Sequence, residues 1–170
     1  MTRLRRQFLK SGLVLAALSK PLAFAQSSGG KAAPKPGQKK GLAIGGKSPE
    51  TVSRLNAHWF YDWTANRPAV MPEGVEWVPM IFKANENAVA KVRAESPNKP
   101  TAVLGFNEPD QEKQANMTVE VALEAWPKLE DLNLPLGSPA GVHADSPWMQ
   151  SFMKEAIKRK YRVDFVIQIK

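Results

Sequence analysis

The chain of 170 residues contains no cysteine. That absence excludes disulfide cross-links, thiolate metal sites and thiol nucleophiles. Histidine is almost as scarce. His58 and His143 are the only two, too few and too isolated for an imidazole metal centre, so no metal and no other cofactor is expected. Long apolar runs are missing as well. The apolar stretch from Gly12 to Leu18 stops at Ser19, far short of the roughly 20 residues that a membrane-crossing helix needs. Acidic residues are absent from the first 40 positions. The formal charge of +8 and the pI near 9.8 suggest a nucleic-acid or membrane partner until the charges are located. Nine basic residues fall within those 40 positions, whereas residues 41 to 170 hold 15 basic against 16 acidic. The basic side chains of this larger part are interspersed with acids and form no stripe for a phosphate backbone, so nucleic-acid binding is not expected.

What the first 25 residues do contain reads as an export signal. Arg3, Arg5 and Arg6 precede the short apolar stretch, and Ala23-Phe24-Ala25 supplies small residues for cleavage after Ala25. Arg5-Arg6-Gln7-Phe8-Leu9-Lys10 resembles a twin-arginine signal, with Leu4 where a small polar residue is usual. A periplasmic or secreted location follows, with no stable membrane anchor once the leader is removed. Residues 26 to 40, QSSGGKAAPKPGQKK, are polar and rich in Gly, Pro and Lys, the composition of a flexible linker. The folded domain is expected over 41–170.

From Gly41 onward short apolar runs alternate with helix-like segments, the pattern of βα units and a parallel sheet. Strands are predicted at Gly41 to Ile44, Ala57 to Tyr61, Glu76 to Ile81, Ala102 to Asn107, Leu134 to Ser138 and Val163 to Ile169. Ser48-Pro49 and Ser146-Pro147 each offer a capping hydroxyl and a proline suited to a first helical turn. After Ser146, the residues Met149, Phe152, Met153, Ala156 and Ile157 recur at spacings of three and four, one buried stripe. Thr118 can cap a helix whose stripe includes Val119, Ala122, Trp126 and Leu129, with a kink expected at Pro127. A shorter helix is predicted from about Asn87 to Glu95. The stretch from Asp62 to Gly74, broken by Pro68 and Pro72, reads as loop.

Two segments carry candidate chemistry. Thr101 to Asp110 is an apolar strand that ends abruptly in Asn107-Glu108-Pro109-Asp110. Ligands of parallel sheets gather at the carboxyl ends of strands, which would aim Asn107 and Glu108 at a site. A carboxylic acid there can protonate a leaving oxygen, and Asn107 can bond a hydroxyl beside it. A loop carboxylate that merely caps the next turn is the competing reading. The second segment is Trp59-Phe60-Tyr61-Asp62-Trp63. Alternation places Trp59, Tyr61 and Trp63 on one face and His58, Phe60 and Asp62 on the other. An aromatic row can stack against the CH faces of sugars or serve simply as core. Trp77, Trp126 and Trp148 are expected to pack.

Seven blocks then fall in order: Trp59-Phe60-Tyr61-Asp62-Trp63, Val78-Pro79-Met80, Leu104-Gly105-Phe106-Asn107-Glu108-Pro109-Asp110, Gln114-Ala115-Asn116-Met117, Trp126-Pro127-Lys128-Leu129, Gly137-Ser138-Pro139-Ala140 and Val163-Asp164-Phe165. Together they resemble glycoside hydrolase family 128, the alkali-sensitive-linkage-type glucanases, over about residues 40 to 167. The resemblance implies an α/β fold, a partial (β/α)8 TIM barrel with about six of its eight units present. It also implies cleavage of β-1,3-glucan by a retaining, two-carboxylate mechanism. Glu108 matches the general acid/base and Asn107 the residue that contacts the sugar beside the cleaved bond. Trp59, Tyr61 and Trp63 fall in the family's aromatic block. Asp62 stands where the family often has Asn, and Phe82 where it often has Trp. After Phe165 the sequence reads Val166-Ile167-Gln168-Ile169-Lys170 in place of the family's His and aromatic pair. The nucleophile glutamate of strand seven is not among these residues. The expectation is therefore a truncated domain, weakly active or inactive alone. A non-catalytic β-glucan-binding protein and an unrelated secreted ligand-binding domain are the alternatives, and the oligomeric state is left open.

Overall fold

The computed structural model describes residues 40–95 and 98–168; the expected leader, and the linker up to residue 39, lie outside the described residues. The first strand forms where the polar linker gives way to Gly41. β1 (Gly41–Ala43), β2 (Trp59–Tyr61) and β3 (Glu76–Trp77) lie side by side in chain order and all parallel. Trp59 stands opposite Gly41 on one side and Glu76 on the other. β4 (Gly137–Gly141) and β5 (Phe165–Gln168) form a second parallel pair.

The segment 102–108 lies between the two sheets. It makes isolated parallel bridges rather than the ladder expected of it: Leu104 with Met80, Val103 with Leu136 and Asn107 with Ala140. Backbone bonds hold it from both sides. The Leu104 and Asn107 N–H groups donate to the carbonyls of Pro79 (2.9 Å) and Phe82 (2.8 Å), and the Ala140 N–H donates to the Phe106 carbonyl (2.8 Å). The irregularity centres on Gly105. A side chain there would meet the Ser138 carbonyl oxygen at 2.6 Å, so only glycine admits this approach of two backbones.

Parallel neighbours need crossovers, and helices supply most of them. α1 (Glu50–Arg54) links β1 to β2, and α2 (Glu86–Ala94) links β3 to the 102–108 segment. α3 (Val119–Glu130) leads on to β4, and α4 (Pro147–Lys158) joins β4 to β5. Only the β2–β3 connection lacks a helix, as its prolines predict. The Thr118 and Ser146 hydroxyls accept from the N–H groups of Val121 and Met149, both at 3.3 Å, as capping residues should. Ser48 is looser, accepting from Glu50 at 3.4 Å, and Pro49 takes the cap position of α1. α2 starts one residue earlier than expected because Asn85 caps it, accepting from Asn87 and Ala88. α3 runs from Val119 to Glu130 through Pro127.

The two faces of the sheet differ. One meets the helices. Val103, Phe106 and Leu136 pack there with Val89 and Val92 of α2, Trp126 and Leu129 of α3, and Phe152 and Ala156 of α4. Phe60 and Trp77 pack beside Val52 of α1. A second group, Val78, Met80, Leu104 and Ala140, gathers Trp59, Tyr61, Trp63 and Ile167 and contains no helix residue. The chain is thus an α/β protein of parallel strands, and among the described residues the sheet does not close. Several strand boundaries differ from expectation: β1 ends at Ala43 rather than Ile44, β2 starts at Trp59 rather than Ala57, and β4 starts at Gly137 rather than Leu134. β3 stops at Trp77: the Val78 N–H still donates to the Phe60 carbonyl (2.9 Å), but β2 has ended at Tyr61 and the next N–H in register, that of Met80, goes to the Thr64 carbonyl (2.9 Å). β4 extends past Pro139 to Gly141. β5 starts at Phe165, because the preceding Asp164 turns its carboxylate to the Leu136 N–H (2.7 Å). Ile157, expected in the buried stripe of α4, is 71% exposed.

Candidate active site

Glu108 is placed by backbone bonds on both sides of it. Its own N–H donates to the Ala140 carbonyl at 2.8 Å, and its carbonyl accepts from the Gln111 N–H at 3.0 Å. The Met117 N–H then returns to the Pro109 carbonyl at 2.9 Å, closing the turn behind it. Within this clasp Glu108 adopts φ +38°, in the left-handed region that glycine occupies most easily. A residue with a side chain there costs on the order of 1–3 kcal/mol and persists where its surroundings over-determine it, which is typical of functional turns. The Glu108 side chain is partly exposed, while Asn107 is 2% exposed.

Asn107 is bonded on three sides. Its N–H reaches Phe82, its carbonyl accepts from the Ala115 N–H at 3.1 Å, and its Nδ2 donates to Gln114 Oε1 at 3.0 Å. Its Oδ1 is buried and has no protein partner. Buried acceptors are rarely left so, and one beside a candidate acid stands out. Gln114 was visible in the sequence only as part of a block. Nothing in its type or spacing announced a bond to Asn107.

The aromatic residues come together on the helix-free side. Trp59, Tyr61 and Trp63 all pack against the Val78, Met80, Leu104 and Ala140 group, while Phe60 is buried on the other face, as alternation predicts. Trp63 gets there by another route. The strand ends at Tyr61, and Trp63 has φ +59°. Asp62 secures this turn by accepting from Thr64 Oγ1 (3.2 Å) and from Trp77 Nε1 (3.4 Å). The rings of Tyr61 and Trp63 meet edge to face, with centroids 5.0 Å apart. Burial, and secondly the negative charge of Glu108, raise the pKa of the Tyr61 phenol above its ordinary value. Glu108 and the aromatic group therefore belong to one electrostatic neighbourhood. Among the described residues there is no group of three or more His, Cys, Asp or Glu side chains that could hold a metal ion. Trp77 and Trp126 are fully buried, and Trp148 stacks on Phe152 and donates to the Met117 carbonyl, so all three pack as expected.

Parallel strands in chain order, a glutamate leaving the sheet at a strand end and aromatic rings within reach of its charge are the parts of a glycoside hydrolase catalytic domain. Residues 41–167 match the family model described as glycosyl hydrolase catalytic core. The chain belongs to that family. Its structural neighbours are glucanases of family GH128, which bears out the resemblance read from the seven blocks. An endo-β-1,3-glucanase of subgroup I from Amycolatopsis mediterranei, solved with laminarihexaose, is 37% identical with a TM-score of 0.68; the match covers 78% of this chain and 57% of that one. A curdlan-specific exo-β-1,3-glucanase of subgroup III from Blastomyces gilchristii, solved with glucose, is 29% identical (TM-score 0.64), with 78% and 61% covered. A subgroup II endo-β-1,3-glucanase from Sorangium cellulosum is 27% identical (TM-score 0.61), with 75% and 58% covered. The chain thus spans little more than half the length of these neighbours. No curated protein matches it.

Proposed function

We propose that this chain is an exported β-1,3-glucan hydrolase domain, with Glu108 as the general acid/base of a retaining mechanism. Its strands are six consecutive units of a (β/α)8 barrel, and the glucan lies across the helix-free side. Trp59, Tyr61 and Trp63 stack against the sugar rings, and Asn107 accepts from a hydroxyl beside the cleaved bond through its partnerless Oδ1. Asn107 is buried, so that contact requires the overlying side chains to shift. Glu108 gives its proton to the glycosidic oxygen as the bond breaks. A second carboxylate across the sugar must take the glycosyl group and release it to water, which Glu108 then deprotonates. None of the acidic residues described here is assigned to that second role. The leader, through its twin-arginine run, delivers the domain to the periplasm or outside the cell.

The single observation that carries this reading is that the Glu108 N–H donates to the carbonyl of Ala140 (2.8 Å), one of the residues on which Trp59, Tyr61 and Trp63 pack; the Glu108 charge also helps to raise the pKa of the Tyr61 phenol. It supports an acid facing the aromatic group rather than one that only caps a turn. The test is to bind laminarihexaose to the full chain and measure reducing ends released from laminarin. Binding is expected, and any cleavage should fall at least about a hundredfold in Glu108→Gln, the usual weight of a positioned acid. Cleavage unaffected by that substitution would refute the role of Glu108, and failure to bind would refute the glucan groove. Binding by both proteins with no reducing ends released would fit a β-glucan-binding protein and equally a hydrolase domain whose second carboxylate is not among these residues.

A further inference from the structure

Two glycines face the aromatic group, and backbone conformation explains neither. Gly46 has φ +66° and open space around it, so there glycine serves a turn. Gly41 and Gly45 have no positive φ, and any residue could adopt their backbone. What they lack is room. A Cβ on Gly41 would lie 2.0 Å from Trp59 Cε2 and 2.3 Å from both Cδ2 and Cζ2, three atoms shared by or adjoining the indole's fused bond. A Cβ on Gly45 would lie 2.9 Å from Trp63 Cζ3. Each indole thus rests against bare backbone, that of Trp59 on β1 and that of Trp63 on the turn after it, and each remains only half-buried.

We infer that Gly41 and Gly45 are seats that set how deep the Trp59 and Trp63 rings stand, and so fix the width of the groove that takes the glucan. The inference rests on the glucan reading and adds two specificity-determining positions to it. A methyl group at either seat must push its ring outward, because approaches under about 3 Å are not tolerated by packed side chains. The ring then occupies space that a pyranose would use. Trp63 is the more constrained of the two. Its left-handed backbone and its edge contact with Tyr61 leave it few ways to yield.

The experiment is a double-mutant cycle on the full chain, read as affinity for laminarihexaose with thermal unfolding measured in parallel. Gly41→Ala and Gly45→Ala should each weaken binding by about threefold to tenfold, the worth of one aromatic contact. In the Trp59→Ala and Trp63→Ala backgrounds the same glycine changes should cost nothing further, because the ring that the methyl displaces is gone. Affinity unchanged by the glycine substitutions, or losses that simply add to those of the tryptophan variants, would overturn the seats while leaving the glucan groove intact. No binding by the unaltered chain would overturn both. If Gly41→Ala does not fold, Gly41→Ala/Trp59→Ala decides. Recovered folding shows that methyl and ring compete for one space, and a double variant as unfolded as the single overturns the proposal.

Discussion

The Tyr61 phenol is a direct probe of Glu108. Its pKa is raised by burial first and by the Glu108 carboxylate second. Replacing that charge in Glu108→Gln should therefore lower the phenol's pKa, while the effect of burial stays. The chain has two tyrosines, Tyr61 and Tyr161, so near-ultraviolet titration of a Tyr161→Phe background follows Tyr61 alone. A Tyr61 titration that does not move would separate the two residues and count against Glu108 as the acid. Stability follows the same sign. A group whose pKa is higher in the folded state makes its full contribution below the unfolded value, about 10 for tyrosine, and loses it as pH rises through the folded value. Tyr61→Phe should thus keep, in strongly alkaline buffer, stability that the unaltered protein loses, as urea unfolding would show. Trp126 makes a different kind of claim. It is fully buried, meets Phe106 and Phe152 edge to face, and donates from Nε1 to the Arg162 carbonyl at 3.0 Å. Trp126→Ala should cost about 3–5 kcal/mol by denaturant unfolding, the range for emptying a large aromatic site.

Among the elements, the β4–β5 pair depends on one hydroxyl. Gly137 faces Phe165 but Ala140 faces Ile167, so the register slips between them, where Pro139 lacks a donor. Ser138 fills the gap. Its buried Oγ accepts from the Ile167 N–H at 2.9 Å and donates to the Pro139 carbonyl at 2.8 Å. Ser138→Ala leaves both groups unsatisfied, and a loss of about 1–3 kcal/mol is expected on unfolding in denaturant. A loss under a few tenths would mean that the pair holds without the hydroxyl. This bulge also explains what the sequence did and did not disclose. Proline argues against a strand interior, and only the slipped register lets β4 continue past the expected end at Ser138 to Gly141. Thr118 and Ser146 were legible as caps because their hydroxyls precede apolar stripes. Asn85 was not, since the residues after it are polar. Ile157 keeps helical spacing in the last turn of α4 yet stays exposed, because periodicity names a face and cannot say how far the sheet beneath it reaches. The site was legible in type: the acid, the asparagine and the aromatic row all stand out in one dimension. Trp63 shows the limit. Simple alternation put it on the correct face, but a left-handed turn and a seat at Gly45 carry it there, and neither follows from spacing.

Across the whole molecule, β5 and the charge distribution determine how the protein meets its surroundings. On β5, Phe165 is 37% and Val166 59% exposed, an apolar strand of the kind that recruits other chains. Val166→Lys should reduce concentration-dependent association in sedimentation while leaving the unfolding midpoint within about 0.5 kcal/mol of its original stability, the usual effect of a surface change. Charge bears on the ligand. The +8 of the full sequence would suggest a polyanion, yet residues 41–170 carry 15 basic and 16 acidic side chains. A neutral glucan held by aromatic faces and hydrogen bonds releases no counterions, whereas a nucleic acid or acidic polysaccharide held by ion pairs does. Affinity for laminarihexaose should therefore change by less than about twofold when ionic strength is raised from low to well above physiological, since screening acts on charges and leaves ring stacking untouched. A loss of tenfold or more over that range would place charged side chains in the recognition step and shift the ligand from a neutral glucan to an acidic polymer.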